Sequence, residues 1–282
     1  MAAEAFAPAK INLFLHVAGP GADGYHPLCS LMAFADVGDR VAVRDGDALS
    51  LIVHGPFAVG LDGEDDNLVL RAARALLARA RGTVPPVELT LEKRLPVASG
   101  LGGGSADAGA ALRLLREAMG VRVSDWDLEE IAGSLGADGA ACLWGRPVIA
   151  QGRGELLSPA PRLPTIEAVL VNPRVAVSTA EVYRRFDLAG AFSDVEPPLL
   201  PDAFESVEEL SAWLSVMRND LQPAAVEIAP EVGDVLGLMA EEPECLLARM
   251  SGSGATCFAL CPGDLEAEAL AARIAALRPQ WW

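Results

Sequence analysis

The sequence has no apolar run approaching the ~18 residues that cross a membrane as a helix. A membrane partner is therefore not expected. Its start, Met1-Ala2-Ala3-Glu4-Ala5, has neither a basic stretch nor an apolar core, which argues against a secretory signal. The five cysteines (Cys29, Cys142, Cys245, Cys257 and Cys261) are odd in number and form no C-x-x-C pair. A disulfide framework is not expected, and the C-x-x-x-C spacing of Cys257 and Cys261 on a strand does not suit zinc. Reduced thiols fit a cytoplasmic protein. Positive charge is also short: 22 Lys and Arg stand against 39 Asp and Glu, for a net charge of −17. That excess repels nucleic acid and anionic membrane. It leaves room for a phosphorylated small molecule, because backbone dipoles, a local cation and a divalent metal can hold one. There is no internal repeat and no low-complexity tract.

Hydrophobic residues, at 51%, and a length of 282 suit a compact protein of two domains. The turn Gln151-Gly152-Arg153-Gly154-Glu155 marks the expected boundary, giving domains 1–152 and 153–282.

One stretch stands out: Leu95-Pro96-Val97-Ala98-Ser99-Gly100-Leu101-Gly102-Gly103-Gly104-Ser105-Ala106-Asp107. It follows a strand-like alternation (Val87, Leu89, Leu91) and precedes a helix-like face (Ala108, Ala111, Leu112, Leu115, Met119). Ser105 is the expected N-cap and Gly120 the C-cap. A glycine-rich loop running into a helix N-terminus is a site for phosphate, though a surface loop can have the same composition. Lys93 and Arg94 are the nearest cations and suit phosphate contact.

Residues 5–18 alternate as a strand, with Ile11, Leu13, Leu15 and Val17 on one face and Lys10, Asn12, Phe14 and His16 on the other. Lys10 and Asn12 point the same way, either toward a ligand or toward solvent from an edge strand. Tyr25 and His26, in a turn-rich connector, suit an aromatic ligand or anchor the loop. Leu28–Phe34 and Asp39–Val43 read as two further strands. Asp65-Asp66-Asn67 opens a helix, with Asp66 or Asn67 as cap, and arginines including Arg79 and Arg81 lie on its outer faces. Asp138, among small and apolar residues, is either a functional carboxylate or the cap of a short helix over 139–144. Val177-Ser178-Thr179-Ala180-Glu181 has the capping-box form. Residues 187–206 read as a long exposed loop, and helices are expected over 206–217, 219–228, 230–241 and 265–277.

Taken in order, Pro8-Ala9-Lys10-Ile11-Asn12-Leu13, the glycine stretch and Ser251-Gly252-Ser253-Gly254-Ala255 resemble the GHMP kinase superfamily. Further matching segments are Ala22-Asp23-Gly24-Tyr25-His26, Asp66-Asn67-Leu68, Lys93-Arg94-Leu95-Pro96, Leu135-Gly136-Ala137-Asp138, Gly152-Arg153-Gly154-Glu155 and Asn219-Asp220-Leu221. Within the superfamily the chain looks like the branch whose acceptor is a cytidine diphosphate-linked methylerythritol, on the non-mevalonate route to isoprenoids. The alternative is another small alcohol, such as homoserine or a sugar. The resemblance implies a two-domain α+β GHMP kinase fold. Its N-terminal domain would be like the second domain of a ribosomal protein and its C-terminal domain ferredoxin-like, with the active site in the cleft between them. The molecule would be a monomer or a homodimer.

The resemblance also implies roles. Lys10 and Asp138 would be the catalytic pair. ATP would contact Asn67, Lys93, Pro96, Val97, Ala98, Ser99, Gly100, Leu101, Gly102, Gly103, Gly104, Ser105 and Ala106, with Ser105 a contact for Mg²⁺. Asn12, Tyr25, His26, Thr179 and Tyr183 would surround the acceptor, the two tyrosines sandwiching its base. His16 and His54 are left without a role. The chain departs from the family pattern in three places. The run Gly139-Ala140-Ala141-Cys142 replaces bulkier residues, Tyr183 stands where phenylalanine is common, and Ala106-Asp107 replaces a Ser-Ser type pair. Asp107 is expected to bring a negative charge to the loop, favouring a metal-bridged phosphate.

Overall fold

The computed structural model describes residues 3–61, 66–80 and 85–282; Met1, Ala2, Asp65 and Arg81 lie outside them. By compactness the chain sorts into two units, neither continuous in sequence. One is Met1–Lys10, Ala33–Val97 and Gly102–Arg146; the other is Ile11–Met32, Ala98–Leu101 and Pro147–Trp282. This division differs from a single cut at 152–153, because two long strands pass from one unit into the other.

Those strands are β1 (Ala3–Val17) and β2 (Leu28–Asp45), which pair with each other. The two short strands expected over 28–43 are one strand of 18 residues. Polar Asp36 and Gly38 look like a break in the sequence, but ladder pairing on either side keeps the backbone extended. β1 is buried on both faces from Ala9 to Val17, so an edge strand with one face in solvent does not describe it.

In the first unit β3 (Ser50–His54) runs parallel to β4 (Val87–Glu92), and β4 is antiparallel to β2 over Arg40–Asp45. The alternation of Val87, Leu89 and Leu91 points these side chains into the core, as the period of two requires. Four helices contribute: α1 (Leu68–Arg79), α2 (Gly103–Ala118), α3 (Asp125–Leu135) and α4 (Gly139–Trp144). Leu76, Leu112, Leu115, Leu128 and Ile131 from their inner faces meet Val41, Val43, Leu89 and Leu91 from the strands in one core. Asn67 is the N-cap of α1, its side chain accepting the Val69 N–H at 2.9 Å.

In the second unit β5 (Val148–Gly152) and β6 (Leu156–Pro159) form a hairpin, with β5 antiparallel to Leu28–Met32 of β2. A separate antiparallel sheet has the order β7 (Glu167–Val171), β9 (Cys257–Cys261), β8 (Leu247–Met250). Its helices are α5 (Thr179–Ala189), α6 (Val207–Ser215), α7 (Gln222–Ile228), α8 (Pro230–Ala240) and α9 (Asp264–Leu277). Val171, Val235, Met239, Cys257, Leu270 and Ile274 belong to its core. The capping box expected at the start of α5 does not form: Ser178 occupies the N-cap without a side-chain bond, and Glu181 pairs with Arg184 instead. Among the described residues no helix is long and apolar enough to cross a membrane.

Candidate active site

In the first unit the glycine stretch delivers the chain into α2 at Gly102, which has φ +63° and is the N-cap. Ser105 is therefore not the cap. It lies in the first turn, and its hydroxyl donates to Asp138 Oδ1 at 2.6 Å. The other oxygen, Asp138 Oδ2, faces Lys10 Nζ at 3.7 Å. Asp138 does stand at the N-cap position of α4, but its side chain makes no capping bond, so capping does not explain it. The Lys10 side chain is 7% exposed and that of Asp138 25%. A pair this far out of solvent is screened far less than a surface pair, yet the Asp138 side chain is not closed off from solvent. A Cβ on Gly102 would stand 2.9 Å from Asp138 Oδ2 and 3.0 Å from Lys10 Cε. Glycine is thus required there twice, for its left-handed backbone and for the close approach of the pair.

Lys93, expected at phosphate, is placed elsewhere. Its ammonium is interior, donating to Asp39 and, at 2.8 Å, to Asp107 Oδ2. Asp107, expected to charge the loop, is 2% exposed and faces Lys93 rather than the loop surface. Burial pushes its carboxyl up to about 7, against the pull of Lys93, with Asp39 adding to the rise. Arg94 is exposed and pairs with Glu92 at 2.9 Å. Pro96 is buried, Val97 is exposed, and Gly103, Gly104, Ser105 and Ala106 form the first turn of α2.

In the second unit the remaining part of the stretch, Ala98–Leu101, is held by the turn Ser251–Thr256. The Ser251 hydroxyl donates to Gly100 O at 3.0 Å, and Thr256 N–H donates to Ser99 O at 3.0 Å. Asn12 N–H donates to Ser251 Oγ at 3.1 Å, and Asn12 Nδ2 donates to Ser30 Oγ at 2.7 Å. The buried Asn219 fixes the turn from behind, its Nδ2 donating to Met250 O and Gly252 O at 2.8 Å each. Nothing in the sequence marks Ser30, because only its pairing with β1 residues gives it a task.

The aromatic group also lies in this unit. Tyr25 is 57% exposed, and the Arg153 guanidinium lies 3.9 Å from its ring centroid while pairing with Asp23. His26 Nδ1 donates to Ala18 O at 2.8 Å, and its Nε2 is 3.3 Å from Asp187 Oδ1. The His26 ring packs on Tyr183 with centroids 4.9 Å apart. Burial pushes the Tyr183 hydroxyl up to about 12, so the ring stays neutral at physiological pH. Thr179 is exposed and shares a hydrogen bond of 2.8 Å with Ser253. Together these residues offer a stacking surface, hydroxyls and a fixed imidazole, which suit a base-bearing ligand.

Comparisons with known proteins agree along the whole chain. The model of the GHMP kinases N terminal domain matches residues 67–146, and that of the GHMP kinases C terminal domain matches 199–279. A 4-diphosphocytidyl-2-C-methyl-D-erythritol kinase from a Caulobacter species is 62% identical, covering 100% of this chain and 97% of its own. The protein of that name from Caulobacter vibrioides is 58% identical, covering 100% and 98%. A crystal structure of 4-(cytidine 5'-diphospho)-2C-methyl-D-erythritol kinase superposes with a TM-score of 0.79 at 33% identity, covering 99% of this chain and 97% of that one. A homoserine kinase from Cytophaga hutchinsonii, at 20% identity and a TM-score of 0.67, shares the fold. The chain belongs to the GHMP kinases, in the family of 4-diphosphocytidyl-2-C-methyl-D-erythritol kinases.

Proposed function

We propose that the protein transfers the γ-phosphoryl group of ATP to the 2-hydroxyl of 4-diphosphocytidyl-2-C-methyl-D-erythritol, in the synthesis of isoprenoid precursors. The observation that carries this reading is the Lys10–Asp138 pair set against the first turn of α2. Phosphoryl transfer asks for positioning and for stabilisation of spreading negative charge, and little else. Asp138 orients the acceptor hydroxyl and takes its proton as the oxygen bonds to the γ-phosphorus. The bond from that phosphorus to the bridging oxygen breaks, and ADP leaves. Lys10, 3.7 Å from Asp138 Oδ2, holds that carboxylate in place and steadies the charge on the attacking oxygen. The backbone N–H groups at the start of α2 receive the phosphates. Asn67 and the stretch Pro96–Ala106 flank the nucleotide.

The donors present suit Mg²⁺. Among the described residues no group of three His, Cys, Asp or Glu gathers for a metal. Mg²⁺ commonly keeps its waters and binds substrate phosphates with one or two protein oxygens, and the Ser105 hydroxyl is such an oxygen. When bound, the ion neutralises charge on the β- and γ-phosphates. Asn12, Tyr25, His26, Thr179 and Tyr183 hold the acceptor, with the cytosine on the tyrosine rings. The five unpaired thiols support a cytoplasmic setting.

The test is an acceptor panel. ADP release is measured with the cytidine diphosphate alcohol, with homoserine and with galactose, and the phosphorylated product is located by ³¹P NMR. Turnover confined to the cytidine compound is expected. Preference for either other alcohol would overturn the acceptor.

A further inference from the structure

Beneath the first turn of α2 lies a buried charged cluster that none of these roles explains. Asp39, on β2, is fully buried. Its Oδ1 accepts the N–H groups of Arg94 at 2.6 Å and Leu95 at 2.8 Å, and its Oδ2 accepts from Lys93 Nζ. Lys93 Nζ also donates to Asp107 Oδ2, in the second turn of α2, at 2.8 Å. Asp107 Oδ1 has no hydrogen-bond partner among the described residues. Two carboxylates therefore share one ammonium in the interior. Such a cluster is costly, and apolar residues of the same shape would stabilise a core as well or better. What the cluster supplies is position. It ties β2, the turn leading into the glycine stretch, and α2 to one point. A Cβ on Gly103 would stand 3.3 Å from Lys93 Nζ and 3.6 Å from Asp39 Oδ2, so the point lies directly under the first residue of α2. Residues 103 and 107 are one turn apart on the same helix face.

We propose that Asp107 is a positioning residue: through Lys93 and Asp39 it fixes the first turn of α2, and so sets the N–H groups that receive the donor's phosphates. The inference rests on reading the glycine stretch as the nucleotide site. Small displacements at a site of this kind cost large factors in rate or affinity, because the donors are only useful when aligned.

Steady-state kinetics with ATP and the cytidine diphosphate acceptor test it, with melting curves as a check on folding. Asp107→Leu is expected to raise the KM for ATP about tenfold while the KM for the acceptor stays within about twofold. Asp107→Asn keeps an oxygen for Lys93 and is expected to stay within about threefold of the wild type for ATP. Should Asp107→Leu not fold, Asp107→Ser, too short to reach Lys93, has the same expected outcome. A lower melting temperature with an unchanged KM for ATP would overturn the inference, as would equal losses for both substrates. Gly104→Glu separates this from the underlying reading, because it places an anion at the exposed helix start. If Gly104→Glu leaves the KM for ATP at its wild-type value, the stretch is not the nucleotide site, and both fall. If Gly104→Glu loses ATP and Asp107→Leu does not, only the role of Asp107 falls.

Discussion

Of the 22 Lys and Arg residues, only Lys10 and Lys93 are lysines. Both are buried and both are paired with aspartate. A compact ammonium suits those positions better than a planar guanidinium, which needs room for five donors. The scarcity of lysine is visible in the sequence and by itself marks both residues. The partner Asp39 is not visible in the same way, lying 54 positions from Lys93. His26, proposed above to hold the acceptor, is anchored at Ala18 O and packs on Tyr183. His26→Ala is expected to raise the KM for the cytidine compound about tenfold and leave ATP within about twofold; equal effects on both would contradict that placement. His16 has a pH signature instead. Burial lowers it from the ordinary 6.5, Arg218 and Arg249 lower it further, and Asp220 opposes them. A histidine lowered on folding resists protonation in the native state while the unfolded chain takes up the proton. Stability is therefore full above 6.5 and declines as the pH falls through 6.5 toward the lower folded value. Urea midpoints of wild type should fall more between neutral and mildly acid pH than those of His16→Gln. Parallel declines would show that His16 contributes nothing to the slope.

At the scale of elements, the helices are legible because their signals are local. The apolar spacing of α1 and α2, the Asn67 cap and the glycine after α2 all act within a few residues. β2 is not, because its continuity depends on β4 and β5, far away in sequence. The start of α2 escapes the sequence for a similar reason: Ser105 has capping chemistry, but Gly102 turns the chain and Asp138 claims the serine. The small-residue run after Asp138 also gains a physical account. A Cβ on Gly139 would lie 2.0 Å from Ala132 O, so α4 approaches α3 more closely than any larger residue allows. Gly139→Ala must push α4 and its N-terminal Asp138 outward. Overpacking of this kind costs about 1–3 kcal/mol, and a matching drop in urea stability together with reduced kcat is expected. Normal kcat at reduced stability would mean that Asp138 does not depend on the seat of α4.

Over the whole molecule, the fold alone does not select an acceptor. The homoserine kinase shares it at 20% identity, whereas the relatives named for the cytidine compound match end to end at 58–62%. The choice must therefore lie in side chains; in the function proposed above it falls to Tyr25, His26, Thr179 and Tyr183, and the phosphoryl chemistry to Lys10 and Asp138. Motif order in the sequence carries this division, since Lys10, the glycine stretch and Asp138 are each short and local. It cannot show that Lys93 turns inward, because that follows from two carboxylates brought together only by folding. The central claim is that Asp138 performs the transfer without holding the nucleotide. Turnover of Asp138→Ala, measured beside its ATP affinity by calorimetry, tests this most directly. The account predicts a loss in kcat of about a thousandfold or more, with the Kd for ATP within about threefold of wild type. Near-normal turnover, or a loss of ATP binding in step with the loss of rate, would contradict it.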